Sequence, residues 1–295
     1  MNIAVVGGFG FIGSRIVDKL LKEDHNVRIV DIRVSKVPTG AEACIADVTS
    51  LNQMMQALSG FDVVYHLAGT VLNTARKNPH LAFALDVLGT ANVLEACVKN
   101  NVSKIIYASS FYVYDGFSPE LEVDENQRSD IFKAETFGVV KIVGERLILE
   151  YARRFNLKYA ILRFGPVYGP QDRCTSIIQD LIKTCLQGNQ FVVWGAGNRK
   201  NQYTYLEDIA DGSIAAMSSD NELFNLISPE QVSIRQIAEL MAAKYGFKVE
   251  YDLSKPEGPS MPYISPKKAI ARLNWKYTSL EEGIEKSFLE MAKKE

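Results

Sequence analysis

Over its first 165 positions the chain alternates short apolar runs with longer stretches in which apolar residues recur every three or four positions. The runs at 3–6, 27–30, 44–48, 61–69, 104–110 and 158–164 predict strands. Between the first two, Ile16, Val17, Leu20 and Leu21 keep helical spacing, and further helices are predicted over 51–58, 82–100 and 135–155. Strands and helices in regular succession imply an α/β architecture: a doubly wound parallel sheet covered on both faces, with right-handed crossovers. The rhythm fits the strand order 3-2-1-4-5-6, which places a ligand beyond the carboxyl ends of the strands, where the order reverses.

Past Arg163 the rhythm changes. Pro166, Gly169, Pro170 and Gly188 punctuate the chain, and an apolar run at 191–194 leads into Gly195-Ala196-Gly197. A helix over 208–217, a short strand at 223–226 and a helix over 232–245 follow, then a Pro-rich segment at 256–266. Ser279 and Glu282 read as a capping-box pair opening a terminal helix with Leu280, Ile284, Phe288 and Met291 on one face. This half reads as a smaller lobe. No internal repeat or low-complexity segment appears. The helices at 82–100 and 135–155 are apolar on more than one side, which fits either deep burial or pairing of two copies; a homodimer through these helices is the favoured reading.

The first strand runs into Gly7-Gly8-Phe9-Gly10-Phe11-Ile12-Gly13, and the second ends at Asp31, 18 residues after Gly13. Glycines at these places let the backbone turn sharply, approach a pyrophosphate and leave the helix N-terminus open to an anion. An acid at the tip of the second strand hydrogen-bonds a ribose 2′-hydroxyl and repels a 2′-phosphate. The unit therefore predicts a dinucleotide site that prefers NAD to NADP, with Arg33 solvated or laid against the adenine. The expected organisation is a Rossmann NAD-binding domain over 1–165, with 190–215 returning to it, and a substrate-binding lobe over 166–295.

Bulk properties narrow the field. The chain has 295 residues, 47% of them hydrophobic, and a net charge of -2, which gives no reason to expect nucleic acid or an anionic membrane as partner. No apolar run approaches the ~20 residues that span a bilayer, and no basic, cleavable leader is visible. Cys44, Cys97, Cys174 and Cys185 are scattered without CxxC spacing and read as reduced thiols of a cytoplasmic protein. His25, His66 and His80 are too dispersed for a metal cluster, and His66 reads as a packed strand-end residue.

With these stretches in view the chain resembles the extended short-chain dehydrogenase/reductases, in their NAD-dependent nucleotide-sugar epimerase/dehydratase group. The resemblance spans nearly the whole chain. It rests on the glycine turn, Asp31, Asp47-Val48, His66-Leu67-Ala68-Gly69, the 89–96 stretch, Ser109-Ser110-Phe111-Tyr112-Val113-Tyr114, and Lys141 with Glu145. The stretches 162–170, 205–208 and 279–283 complete it. The resemblance implies that Gly7, Gly10, Phe11, Ile12, Gly13, Asp31, Ile32 and Arg33 hold the cofactor, with Asp47 and Val48 bordering the adenine. It puts Leu67, Ala68, Gly69 and Ser109 along the cofactor, Lys141 on the nicotinamide ribose, and Phe164, Pro166 and Val167 beside the nicotinamide. Ser110 would hydrogen-bond the substrate hydroxyl that is oxidised, and Thr70, Tyr112, Pro166, Arg199 and Asn201 would face the substrate.

The departures bear on chemistry. The family carries a Tyr four residues before the Lys, one helical turn away, and its phenolate takes the hydroxyl proton. Here that position is Phe137, which has the ring but no proton to exchange. Three readings stay open: a Tyr deliberately replaced to trap a substrate, another base (Tyr112, Glu135 or the Lys141 amine), or binding of NAD and sugar without turnover. Asp86 stands where these sequences usually have Asn, either neutral by burial or paired with a neighbour. Asn201 falls where an Arg usually clamps the diphosphate, with Arg199 or Lys200 as substitutes, and 257–263 lacks a second such Arg.

The expected function is an NAD-dependent epimerase of a nucleotide-activated sugar, working by transient hydride transfer at C4, with Ser110, position 137 and Lys141 as its catalytic set and no metal. The chain as written is expected to be impaired. The rivals are a 4,6-dehydratase, disfavoured because Phe111-Tyr112 replaces the acid pair it needs, a reductase or dehydrogenase, and a non-catalytic NAD- and sugar-binding protein.

Overall fold

The computed structural model describes residues 1–170 and 176–293, so Cys174 lies outside the described residues. Seven parallel strands form the central sheet: β1 (Asn2–Val6), β2 (Asn26–Asp31), β3 (Ala41–Ile45), β4 (Val63–His66), β5 (Lys104–Ser110), β6 (Lys158–Phe164) and β7 (Glu222–Leu226). Their order is β7-β6-β5-β4-β1-β2-β3, which is the expected doubly wound order with one strand added at the far edge. Ile3 to Val6 and all of β4 are buried, because helices cover both faces; that is why these strands read as continuous apolar runs.

One face packs α1 (Phe11–Lys22) through Ile16, Val17 and Leu20, with Ile209 and Ala210 alongside. The other face packs α2 (Leu51–Ala57), α3 (Gly89–Lys99) and α4 (Thr136–Phe155) through Met54, Val93, Leu94, Cys97 and Ile148. Register aligns the carboxyl ends. Val6 pairs with both Val30 and His66, so Gly7, Asp31 and Leu67 leave the sheet side by side. Ser110, at the end of β5, pairs with Phe164 on the adjacent β6.

Several sequence boundaries shift. The third strand begins at Ala41 and ends at Ile45, ahead of the expected 44–48, because Asp47 turns the chain toward the Ser50 cap of α2. Its Oδ1 accepts from both the N–H and the hydroxyl of Thr49. The helix expected over 82–100 is not uniform: Pro79–Ala82 is α-helical, Phe83–Leu88 is a wide π-turn, and α3 resumes at Gly89. Pro79–Lys99 is also long and apolar enough by composition to cross a bilayer, contrary to the sequence reading. Half of it is buried within the fold, and it carries the buried Asp86.

The chain returns to the sheet through α5 (Leu206–Ala215), which packs on α1, and then β7. Residues 190–205 belong to the smaller lobe, where Phe191–Trp194 pairs with Val249–Asp252. That lobe has its own core of Tyr168, Ile178, Leu181, Tyr203, Ile237, Met241 and Ile284. Its full capping box is at Ser233 and Gln236, where the helix Ile234–Tyr245 starts two residues later than expected. At Ser279 the side chain accepts from the Glu282 N–H.

Helix α4 is tied to the sheet by a buried pair. Arg163 of β6 donates to Glu145 of α4 at 2.8 and 2.7 Å, and Ser109 adds a hydrogen bond of 2.6 Å to the same carboxylate. Arg163 also donates to the Tyr114 hydroxyl at 2.7 Å. Removing one partner leaves the other charge buried and unpaired. Glu145→Ala is therefore expected to lower unfolding free energy by about 3–5 kcal/mol, whereas a paired Glu145→Met, Arg163→Met exchange costs less. Urea denaturation of the two variants checks the difference.

Candidate active site

The glycine turn closes on the sheet. Gly7 has φ +84°, and a Cβ there would lie 2.8 Å from the Ala68 nitrogen. A Cβ at Gly13 would lie 2.3 Å from the Gly7 carbonyl oxygen, so neither position accepts a side chain. Gly10 is the N-cap of α1 and offers no capping side chain, and no acid stands in the first turn. The leading N–H groups of α1 thus face the groove with the positive end of the helix dipole. This cradle fits a dinucleotide pyrophosphate.

Two connected cavities run from it and share Gly7, Gly10, Leu67 and Gly69. The first, of about 250 Å³, is lined by Asp31, Ile32, Arg33, Val48, Ala68 and Leu85. Asp31 accepts from the Phe9 N–H at 3.1 Å through Oδ2 and turns its carboxylate to this cavity. The second, of about 380 Å³, gathers Phe11, Ile12, Gly13, Thr70, Ser109, Ser110, Tyr112, Phe137, Lys141, Phe164 and Val167. The residues expected along the cofactor line one of the two except Pro166 and Asp47, the latter accepting from Thr49 through Oδ1 in the turn before α2. Pro166 lies between two lining residues, Gly165 and Val167, without lining the cavity itself.

Ser110 ends β5 and accepts from the Tyr112 N–H at 3.3 Å, which leaves its own proton for a ligand. Lys141, one turn beyond Phe137 on α4, is buried and lies 5.8 Å from the Phe137 ring centre. It donates to the Ala108 carbonyl at 3.2 Å and pairs with Asp86 at 3.0 Å. Burial works against its charge, yet the Asp86 carboxylate, together with Tyr107 and Glu145, holds the ammonium pKa above the usual lysine range. Asp86 is the paired carboxylate of the two alternatives weighed from sequence, and Thr70 donates to it twice, at 2.9 and 2.6 Å. Tyr112 meets Phe137 edge-on at 5.6 Å; burial raises its phenol pKa, and Arg76 and Arg199 offset this only in part. His66 is fully buried beside Thr90, and burial lowers its pKa to about 3, so it stays a neutral packed residue, as expected.

Arg199 lines a separate cavity of about 310 Å³ in the smaller lobe, with Trp194, Ile234 and Glu257. Asn201 sits on a two-residue strand paired with Val232 and lines neither the cofactor groove nor that cavity. Sequence reasoning did not single out Val71, Leu72 and Ala108, which also line the second cavity. They sit next to motif residues, and that adjacency was the available signal.

The model of the NAD dependent epimerase/dehydratase family matches residues 3–226. The chain belongs to this family. It is 32% identical over 297 residues to a protein of Methanocaldococcus jannaschii named "Putative UDP-glucose 4-epimerase", with 96% of each chain covered. The UDP-glucose 4-epimerase of Thermotoga maritima, solved with UDP-glucose, superposes with a TM-score of 0.91 at 27% identity, covering 100% of this chain and 99% of the other. The UDP-glucuronic acid 4-epimerase of Bacillus cereus, solved with UDP-glucuronic acid and NAD, gives 0.87 at 27% identity with the same coverage. NAD is the cofactor of the family, and the glycine cradle and Asp31 of this epimerase/dehydratase member fit it.

Asp31→Ser removes the carboxylate that the end of β2 presents to the first cavity. NAD affinity is expected to fall roughly tenfold or more, the worth of about 1.5 kcal/mol for a charged hydrogen bond, and NADP affinity to rise toward it. Titration calorimetry with both dinucleotides measures the change.

Proposed function

We propose that this chain is an NAD-dependent epimerase of a UDP-activated sugar, acting at C4, in which the proton-transfer phenol is missing. The observation that carries this reading is the single cavity that gathers the α1 N-terminus, Ser110, Phe137, Lys141 and Phe164. NAD, when bound, accepts a hydride from the sugar carbon and returns it. Ser110 donates its free proton to the sugar oxygen and orients it. Phe164 and Val167 supply an apolar wall that excludes water.

Proton transfer is the weak point. Phe137 has no exchangeable proton. Lys141 is held charged by Asp86 and does not serve as a base. Burial keeps Tyr112 protonated. Glu135 is engaged with Arg76, which donates to it at 2.9 Å, on the exposed side of α4. General acid–base catalysis contributes roughly 10²–10⁴-fold, so the chain works slowly at best by the phenol route. Elimination of water is not favoured either, since Phe111 stands directly after Ser110 and carries no proton.

Phe137→Tyr is expected to raise the interconversion of UDP-glucose or UDP-glucuronic acid with its C4 epimer by roughly 10²–10⁴-fold. No gain on either sugar would sink the C4 reading.

The same proposal includes a homodimer through the helices at 82–100 and 135–155. Phe83 and Leu88 are 46% and 51% exposed on this face, and Phe155 is 44% exposed at the end of α4. Leu88→Glu is expected to shift the molar mass measured by light scattering from two chains to one; an unchanged mass would remove this face from the interface.

A further inference from the structure

The π-turn at Phe83–Leu88 does one thing a regular helix would not: it widens the backbone at Asp86, whose side chain is fully buried against the cofactor groove. The freed carbonyl of Asp86 is taken up by the Thr90 hydroxyl at 2.6 Å. Thr70 fixes Oδ2 by two hydrogen bonds. Oδ1 faces Lys141 at 3.0 Å, and the lysine is its partner. A Cβ on Gly69 would sit 2.3 Å from that Oδ1 and 3.3 Å from the Lys141 nitrogen, and Gly69 lines both cofactor cavities. The ion pair therefore lies directly beneath the groove wall, with no side chain between.

Neighbouring charges do not substitute for Asp86. Glu145 is committed to Arg163 by two hydrogen bonds. His66 is neutral, and Asp86 is the carboxylate in ion-pair range of Lys141 among the described residues.

We propose that Asp86 is a positioning residue that clamps Lys141 and cancels its charge at the groove, so that the site takes the oxidised, cationic nicotinamide without the penalty a lone ammonium would impose. A lone ammonium at this place repels the oxidised ring and leaves the reduced ring untouched. A neutral pair removes that bias, and the low dielectric of the buried site magnifies the difference. The inference rests on NAD occupying the groove and is independent of whether the chain turns over.

The test measures dissociation constants for NAD and for NADH on the full chain, by titration calorimetry and by NADH fluorescence. In Asp86→Asn, which keeps the shape and removes the charge, the ratio of the NAD constant to the NADH constant is expected to rise roughly tenfold or more. Thr70→Val, which loosens the clamp and leaves both charges in place, is expected to move the ratio in the same direction by less. It serves also if Asp86→Asn folds poorly. If both affinities weaken equally, Asp86 is only structural and the proposal is overturned. If the unaltered chain binds neither dinucleotide, the reading of the groove fails along with it.

Discussion

The structure depends on how closely β1 and β4 approach at their carboxyl ends. A side chain at position 7 would bring its Cβ to 2.8 Å from the Ala68 nitrogen, so the two strand ends meet only because Gly7 has none. That contact is also where the strand order reverses, with β1 lying between β2 and β4. Once it is made, register does the rest. Asp31, Gly7 and Leu67 stand in a row across three strands, and α1 starts with its bare N–H groups aimed along that row. Opening the gap by a methyl group would tilt α1 away from the sheet, because Gly13 is packed as tightly on Gly7 as Gly7 is on Ala68.

What was legible in the sequence follows from burial. Strands β1, β2, β4, β5 and β6 are covered on both faces, so their apolar runs marked them with small boundary errors. Strand β3 is next to solvent, with Glu42, Ala43 and Ile45 exposed, and no apolar run announced its start. Strand β7 joins β6 from nearly sixty residues away, a pairing that local pattern does not encode. The cofactor groove was legible almost residue by residue, because its parts sit at strand ends and in one turn. Asp47 closes an Asx turn with Thr49, a role that leaves the same trace in a sequence as a carboxylate near an adenine. The substrate side was less legible: Arg199 and Asn201 both lie beside Tyr203 in the smaller lobe, and neither lines the cofactor groove.

The π-turn is the feature that sequence could not show. Apolar periodicity runs without a break from 79 to 99, and a one-residue widening leaves composition unchanged. Its consequence is local but decisive, since it selects which side chain of the turn is buried against Lys141. Asp86 was visible as an unusual residue; its partner was not.

Helix α4 shows why that partner matters. Its buried stripe is Phe137, Lys141, Glu145 and Ile148, spaced by three or four residues. Gly138 and Gly144 let the stripe press against the end of β5 and the turn beyond it, where a Cβ would come within 2.5 Å of the Tyr112 oxygen and 2.1 Å of the Tyr107 hydroxyl. Such closeness excludes water, so each charge on the stripe must find a protein partner. Glu145 finds Arg163 on the sheet, and Lys141 finds Asp86 in the π-turn. A phenol at 137 becomes a better base when a positive charge beside it lowers its pKa. Asp86 offsets part of that help, and the cationic ring of bound NAD would supply the rest to a phenol placed at 137. The two departures, Asp86 and Phe137, meet at the same lysine, whose ammonium lies 3.0 Å from the carboxylate and 5.8 Å from the centre of the ring.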